Sequence, residues 1–328
     1  MLKAKSKART ETLQTVVLPS ERNFRQRMAH ELRNNWVMWL MIIPVICYVL
    51  LFSYAPMPGI ILAFKNFNYR DGIFGSPWVG FDNFKFLVKG GILWRITRNT
   101  VIYNLIFMVV DMVVQIAVAV MLNEIIQKWF KKLSQSLMFL PYFISWVLVQ
   151  SIAYGVFSYE YGLLNNFLRS IGVDPINIYA NEGVWPALLT FFHEWKGLGY
   201  GVVVYMAAIT GISSEYYEAA RLDGATKWQQ IKLITLPLLK PTAITLFLFA
   251  VGKIMKGQFE LFFQLVGTNG TLFEVTDIID TYVFRTITTN FDPGRSAAAG
   301  LYQSLFGFIL IMTVNKIVKK IQPDYALF

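Results

Sequence analysis

Long stretches without charge divide this chain. No Asp, Glu, Lys or Arg occurs from Asn34 to Phe64, nor from Leu133 to Tyr159. About 20 apolar residues in a helix cross a hydrocarbon core about 30 Å thick. On that measure the pattern predicts six spans, near 36–54, 100–122, 137–157, 186–212, 241–266 and 297–318. They must be helical, because lipid offers the backbone no hydrogen-bond partner. Pro56 and Pro58 mark the end of the first, and Asp111 interrupts the second. Six spans put both termini on one side. The segments 160–183 and 267–295 hold the Gly, Pro, Asn and Asp that turns require.

The expected organisation is therefore a polar arm (1–35), a transmembrane domain (36–320) carrying a polar loop at 213–240, and a short tail (321–328). Part of the arm, near 21–33, reads as an interfacial helix. There is no internal repeat, and no polar stretch is long enough to bury the core of a second domain.

Composition agrees with this fold class, an all-α integral membrane protein. Hydrophobic residues make up 55% and charged residues only 15%, where soluble domains carry about 25% charged. The single cysteine, Cys47, leaves no disulfide within the chain. The net charge of +10 does not indicate nucleic acid, because the basic residues gather at the ends of spans. There they report orientation. The arm, 123–132, 213–240 and the end of the last span (Lys316, Lys319, Lys320) hold 18 of the 30 Lys and Arg, whereas 158–185 and 267–296 hold three. Both termini and the 213–240 loop are thus expected in the cytoplasm. The 65–99 segment goes against the count with six basic residues, and 93–98 is expected to lie flat at the interface.

The 213–240 loop has readable local chemistry. Ser213 or Ser214 can cap a helix with Glu215 in its first turn, where the helix dipole favours a carboxylate. That helix would run to about Leu222 and stop at Asp223-Gly224, because glycine enters the left-handed region cheaply. Thr226-Lys-Trp-Gln229 has the form of a capping box, which starts a second helix. Pro237 and Pro241 would then bend the chain into the fifth span. These signals alone admit either a well-capped surface loop or a docking element.

Ionisable residues inside spans are costly and so are candidates for function. His193, Glu194 and Lys196 fall in the fourth span, with Trp195 among them. Lys253, Lys256, Phe259 and Glu260 follow along the fifth, where i,i+4 spacing would let Lys256 pair with Glu260. Aromatic platforms with nearby donors suit a carbohydrate path, and lysines suit a carboxylated sugar. The competing reading is that these charges pair internally and face neighbouring helices, which is the expectation for Asp111.

The run Glu215-Tyr-Tyr-Glu218-Ala219-Ala220-Arg-Leu-Asp223-Gly224-Ala225, closed by Leu236-Pro237-Leu-Leu-Lys-Pro241, resembles the E-A-A loop of bacterial ABC importer permeases. Several further segments are similar to sugar permeases of the maltose type: Val79-Gly-Phe-Asp-Asn-Phe-Lys-Phe-Leu87, Asn99-Thr100, Leu140-Pro141-Tyr142, Gly162-Leu-Leu-Asn165, Trp195-Lys196 and Gly294-Arg-Ser-Ala-Ala-Ala299. Asp277-Ile-Ile-Asp-Thr-Tyr-Val-Phe-Arg285 resembles the branch that imports complex oligosaccharides.

The resemblance implies the maltose-type (type I) importer fold in a bacterial inner membrane. It implies Glu218, Ala219, Ala220, Asp223, Gly224 and Ala225 as the element that docks on an ATPase, with Glu218 as polar anchor and Gly224 as pivot. On their own chemistry, Glu194, Trp195, Lys196, Lys253, Lys256, Phe259 and Glu260 are the candidates for the oligosaccharide path. The implied partners are a second permease subunit in a heterodimer, two ATP-binding subunits and an extracytoplasmic solute-binding protein. ATP and Mg would sit on the partner ATPase, since this chain has no phosphate-cradling G-x-x-x-x-G-K-[ST] sequence. Neither a catalytic constellation nor a metal site is expected. The other readings are the same machine for a non-sugar solute, and a channel or enzyme without an ATPase partner.

Overall fold

The computed structural model describes residues 33–321, which fall into two compact units divided after Pro58. The expected interfacial helix near 21–33 and most of the tail lie outside the described residues. All regular structure among the described residues is helical, apart from one isolated antiparallel bridge, Lys65 to Trp78.

The first unit contributes α1 (Trp36–Val49), extended by a π turn at Leu50–Tyr54. Its side chains are exposed throughout, as expected for a helix whose solvent is lipid. Pro44 lies inside it.

The second unit carries α2 (Asp82–Lys89) and then α3 (Ile92–Asn123). The stretch 93–98, expected to lie flat, instead forms the first turns of α3. Its arginines turn onto carboxylates: Arg98 lies 3.2 Å from Glu274, and Arg95 lies 3.5 Å from Asp277. Arg285 also holds the buried Asp277, at 2.7 Å. Lys85 pairs with Asp82. The basic surplus of 65–99 is therefore partly paired with carboxylates in place.

The third predicted span is broken. α4 (Lys128–Phe139) runs into a 3-10 turn at Leu140–Phe143, and the chain bends by 98° into α5 (Trp146–Phe157). Pro141 withholds an N–H at this point, and Ser145 caps the new helix by accepting from Leu148 N–H. α6 (Leu163–Ser170) precedes α7 (Trp185–Thr210), the fourth span.

The fifth predicted span also differs from a single helix. α10 (Leu236–Val251) begins earlier than expected and runs through Pro241. A π turn at Ile231–Thr235 precedes it and absorbs Pro237, whose ring and missing N–H disrupt the regular ladder. The short helices α8 (Ser214–Leu222) and α9 (Lys227–Gln230) lie between α7 and this turn. After Val251 the chain unwinds over 252–258 and re-forms as α11 (Phe259–Val266). The connection after α11 holds α12 (Phe273–Thr276) and the amphipathic α13 (Ile279–Thr288), and α14 (Pro293–Ile321) follows.

Among the described residues, four helices are long and apolar enough to cross a membrane, or up to six if each of two bent pairs is one span. Apolar side chains of α3, α7 and α11 form a shared core, including Tyr103, Phe107, Leu189, Phe192 and Phe262. At the start of α14, Ala298 and Ala299 are fully buried while Leu305, Phe308 and Ile309 are exposed. The small-residue run thus permits close helix approach at one end of a lipid-facing helix.

Candidate functional sites: a capped elbow and a cavity between helices

The elbow at 213–240 is assembled by its own sequence. Ser213 caps α8 by accepting from Glu215 N–H at 3.3 Å. The helix ends at Asp223, and Gly224 has φ +76°, the left-handed conformation that favours glycine. Thr226 then caps α9 with the full reciprocal box. Its hydroxyl accepts from Gln229 N–H at 3.3 Å, and Gln229 Oε1 accepts from Thr226 N–H at 2.7 Å. Gln230 donates back to Ala225 O at 3.0 Å, closing the turn between the helices.

Two contacts join the elbow to the spans. Tyr217 Oη lies 3.0 Å from Thr235 Oγ1, in the π turn. Lys227 pairs with Glu124, at the C-terminal end of α3, at 2.9 Å. The Lys227–Glu124 pair is exposed and contributes little to stability, so the Tyr217 contact, the packing of Ile231 and Leu239 against α3 and α7, and the continuous chain carry the connection. Glu218, Ala219, Asp223 and Gly224 are exposed, with Ala220 and Ala225 partly covered. Leu222 and Trp228 are also left largely bare, at 90% and 70%. A capped, stiff element with apolar side chains in the open has the character of a surface awaiting a partner.

The second site is a cavity of about 600 Å³ between α3, α7 and α10. Met108, Asp111, Met112 and Gln115 line it from one face of α3, at i, i+3, i+4 and i+7 spacing. His193, Tyr200 and Tyr205 line it from α7, and Lys253 and Gln258 from the unwound segment. Asp111 has a partner after all: His193 Nε2 lies 3.0 and 3.1 Å from its two carboxylate oxygens. Phe107 stacks on that imidazole at 4.0 Å and fixes its plane. The packing between α3 and α7 is tight, since a Cβ at Gly201 would overlap the Gln115 side chain.

The residues singled out from sequence separate into different environments. Lys253 lines the cavity. Glu194 lines a different, apolar groove beside α3, and both its carboxylate oxygens are buried without a hydrogen-bond partner. Lys196 reaches back to the broken third span, where its ammonium donates to the carbonyls of Pro141, Tyr142 and Ile144 at 3.3, 2.7 and 2.5 Å. It also lies over the Tyr142 and Trp146 rings. Trp195 packs against the core. Phe259 stacks with Phe263 and meets Phe284 of α13.

Lys256 and Glu260 are both exposed, and the helix that would have paired them is interrupted between them. The sequence reading passed over Gln115, Tyr200, Tyr205 and Gln258. The i,i+4 pair Asp111 and Gln115, polar within an apolar helix, is the signal that could have found the α3 wall.

Residues 90–323 match the binding-protein-dependent transport system inner membrane component family. The chain is 33% identical to the polygalacturonan/rhamnogalacturonan transport system permease protein YteP of Bacillus subtilis (strain 168), over 96% of this chain and 97% of that one. It is 32% identical to the protein LplB of the same organism, over 90% and 92%. A solved bacterial ABC transporter involved in the import of the acidic polysaccharide alginate contains a chain with a TM-score of 0.80 and 30% identity, covering 90% of this chain and 99% of that one. A solved bacterial alginate ABC transporter in complex with an alginate pentasaccharide-bound periplasmic protein also matches, with a TM-score of 0.79 and 30% identity, covering 90% of this chain and 98% of that one. With this match spanning the elbow, the cavity and every helix from α3 onward, the chain belongs to the family of binding-protein-dependent transport system inner membrane components.

Proposed function

We propose that this chain is a permease subunit of an ATP-driven importer for acidic, uronate-containing oligosaccharides. It would pair with a second, unlike permease and dock on two ATP-binding subunits, which bind the ATP and Mg. A solute-binding protein would deliver the sugar from outside. The charge distribution supports cytoplasmic termini and a cytoplasmic elbow.

One observation carries the substrate class. Lys253 is the one lysine or arginine on the cavity wall among the described residues, while the Asp111 carboxylate there is engaged by His193. Relatives along nearly the whole chain are named for acidic polymers, polygalacturonan and alginate. A lone cation beside tyrosines and amides can bind a carboxylated sugar ring by one charge-assisted hydrogen bond and apolar stacking. Weak, dispersed contacts suit a path that must also release its cargo.

The elbow supplies the mechanics. Glu218, Ala219, Ala220, Asp223, Gly224 and Ala225 would seat in the ATPase surface, which moves as its dimer closes. The movement alternately opens the cavity to either side of the membrane.

Proteoliposomes holding the assembled importer test the substrate class. Labelled tetragalacturonate should be accumulated with ATP and neutral maltotetraose should not. Lys253→Gln should raise KM for tetragalacturonate about tenfold, the worth of one charge-assisted hydrogen bond. Preference for the neutral sugar would overturn the assignment.

A further inference from the structure

The break in the fifth span at 252–258 is held from outside by three side chains on three other elements. Unwinding a helix frees backbone groups, and those buried away from water need a protein partner. From α3, the Asn104 amide donates to Ile254 O at 3.0 Å and Lys256 O at 3.3 Å, while also donating to Thr100 O of its own helix. From α14, Gln303 donates to Met255 O at 2.7 Å. From α13, Asp280 Oδ2 accepts the N–H of Gly257 at 2.7 Å and the Gln303 amide at 3.0 Å.

The fit leaves no room for a side chain at position 257. A Cβ there would overlap Ile278 and approach Asp280 Oδ2 to 2.9 Å. Within the break, turn bonds run from Lys253 N–H to Ala250 O, from Ile254 N–H to Val251 O and from Lys256 N–H to Lys253 O. An unwound segment with this many fixed partners has a defined shape. Lys253 and Gln258, at its two ends, both face the cavity.

We infer that Asp280, Gln303 and Asn104 are positioning residues that lock the unwound turn, and so fix where Lys253 and Gln258 stand in the cavity. None of the three lines the cavity. The consequence for transport rests on the cavity being the sugar path, but the geometric lock does not.

The test uses the full importer with Cys47→Ser as parent and a single reporter, Lys253→Cys. A membrane-impermeant charged methanethiosulfonate measures the reporter's reactivity. Asp280→Ala and Gln303→Ala should each change the modification rate about tenfold, because a lost buried hydrogen bond frees the turn. Asp280→Asn should keep the parent rate, since its amide oxygen still accepts both N–H groups. An unchanged rate in Asp280→Ala, or an equal change in Asp280→Asn, overturns the inference. If Asp280→Ala fails to reach the membrane, Gln303→Ala and Asn104→Ala decide in its place.

Tetragalacturonate uptake with Lys253 intact supplies the second readout. Asp280→Ala should raise KM more than it lowers kcat. If the parent does not take up tetragalacturonate, the sugar assignment fails while the thiol rates still judge the lock. If Lys253→Gln weakens uptake but the thiol rates never respond, the lock fails and the sugar path stands.

Discussion

Gly224 offers the sharpest test of the elbow. Its φ of +76° is a conformation that other residues adopt at a cost. A Cβ built there meets nothing within 4 Å, so substitution adds conformational strain and no overlap within this chain. Alanine in the left-handed region costs about 1 kcal/mol, valine about 2 kcal/mol, and asparagine distinctly less. Converted to populations, these are about a fivefold and a thirtyfold loss of the competent elbow. The assay is ATPase activity stimulated by loaded binding protein, alongside uptake, in proteoliposomes holding the complete importer. The order should be Gly, then Asn close behind, then Ala, then Val, with insertion unchanged throughout. Equal activity for Gly224→Val and the parent would show that the turn conformation is not needed. Gly224→Asn as poor as Gly224→Val would show that space at the partner surface matters instead of backbone strain.

Four further outcomes follow from particular contacts. Lys196→Ala removes the donor to three carbonyls at the third-span break and should lower stability in detergent by roughly 2 kcal/mol or more, read as a lower melting temperature with KM little changed in the surviving protein. Glu194→Gln should keep uptake near parental, because neither carboxylate oxygen has a partner to lose, whereas Glu194→Lys should fail to accumulate in membranes, as a blot would show. Glu218→Arg should lose co-purification of the ATP-binding subunit while insertion stays normal, since it reverses the charge at an exposed position of the elbow. Burial pushes the Asp280 carboxyl above the usual range, outweighing the Gly257 N–H, the Gln303 amide, its own backbone N–H and nearby Lys256, all of which pull it down. The folded state therefore holds this proton more tightly than the unfolded chain, and the contribution to stability is largest in acid and fades as pH rises through the elevated value. Asp280→Asn should remove that slope in melting temperature above the ordinary carboxylate range.

The elbow was legible in sequence because its signals are local. A cap needs only Ser213 or Thr226 and the next three residues, and the left-handed stop needs only Gly224. The spans were legible as lengths of apolar chain, but their interruptions were not. The third span read as one uninterrupted stretch over Pro141, whereas at the 98° bend Lys196, 55 positions further on, donates to the Pro141 carbonyl. The fifth span gave less warning still. Nothing in Gly252-Lys-Ile-Met-Lys-Gly-Gln258 excludes a helix outright. It stays unwound because Asn104, Asp280 and Gln303 arrive from distant parts of the sequence. Long-range satisfaction of backbone groups also explains why i,i+4 reasoning failed for Lys256 and Glu260, which it placed on one uninterrupted helix.

The same geometry suggests how a push at the elbow reaches the cavity. Tyr217 ties α8 to Thr235 in the π turn, and α10 starts one residue later. That helix has 16 residues, a rod about 24 Å long, and it ends at Val251, next to the unwound turn that carries Lys253. A helix transmits axial displacement with little loss, whereas a π turn and an unwound segment are the places where backbone angles change most easily. On the proposed function, α10 is then a rod with two compliant points near the elbow, the π turn and Pro241, and a stapled turn beside the cavity. A displacement of the elbow must appear either at those two points or as strain on the three side chains that hold the turn at 252–258. The hydrogen bonds of Asn104, Asp280 and Gln303 therefore bear on whether such a displacement deforms the cavity wall or carries it as a body.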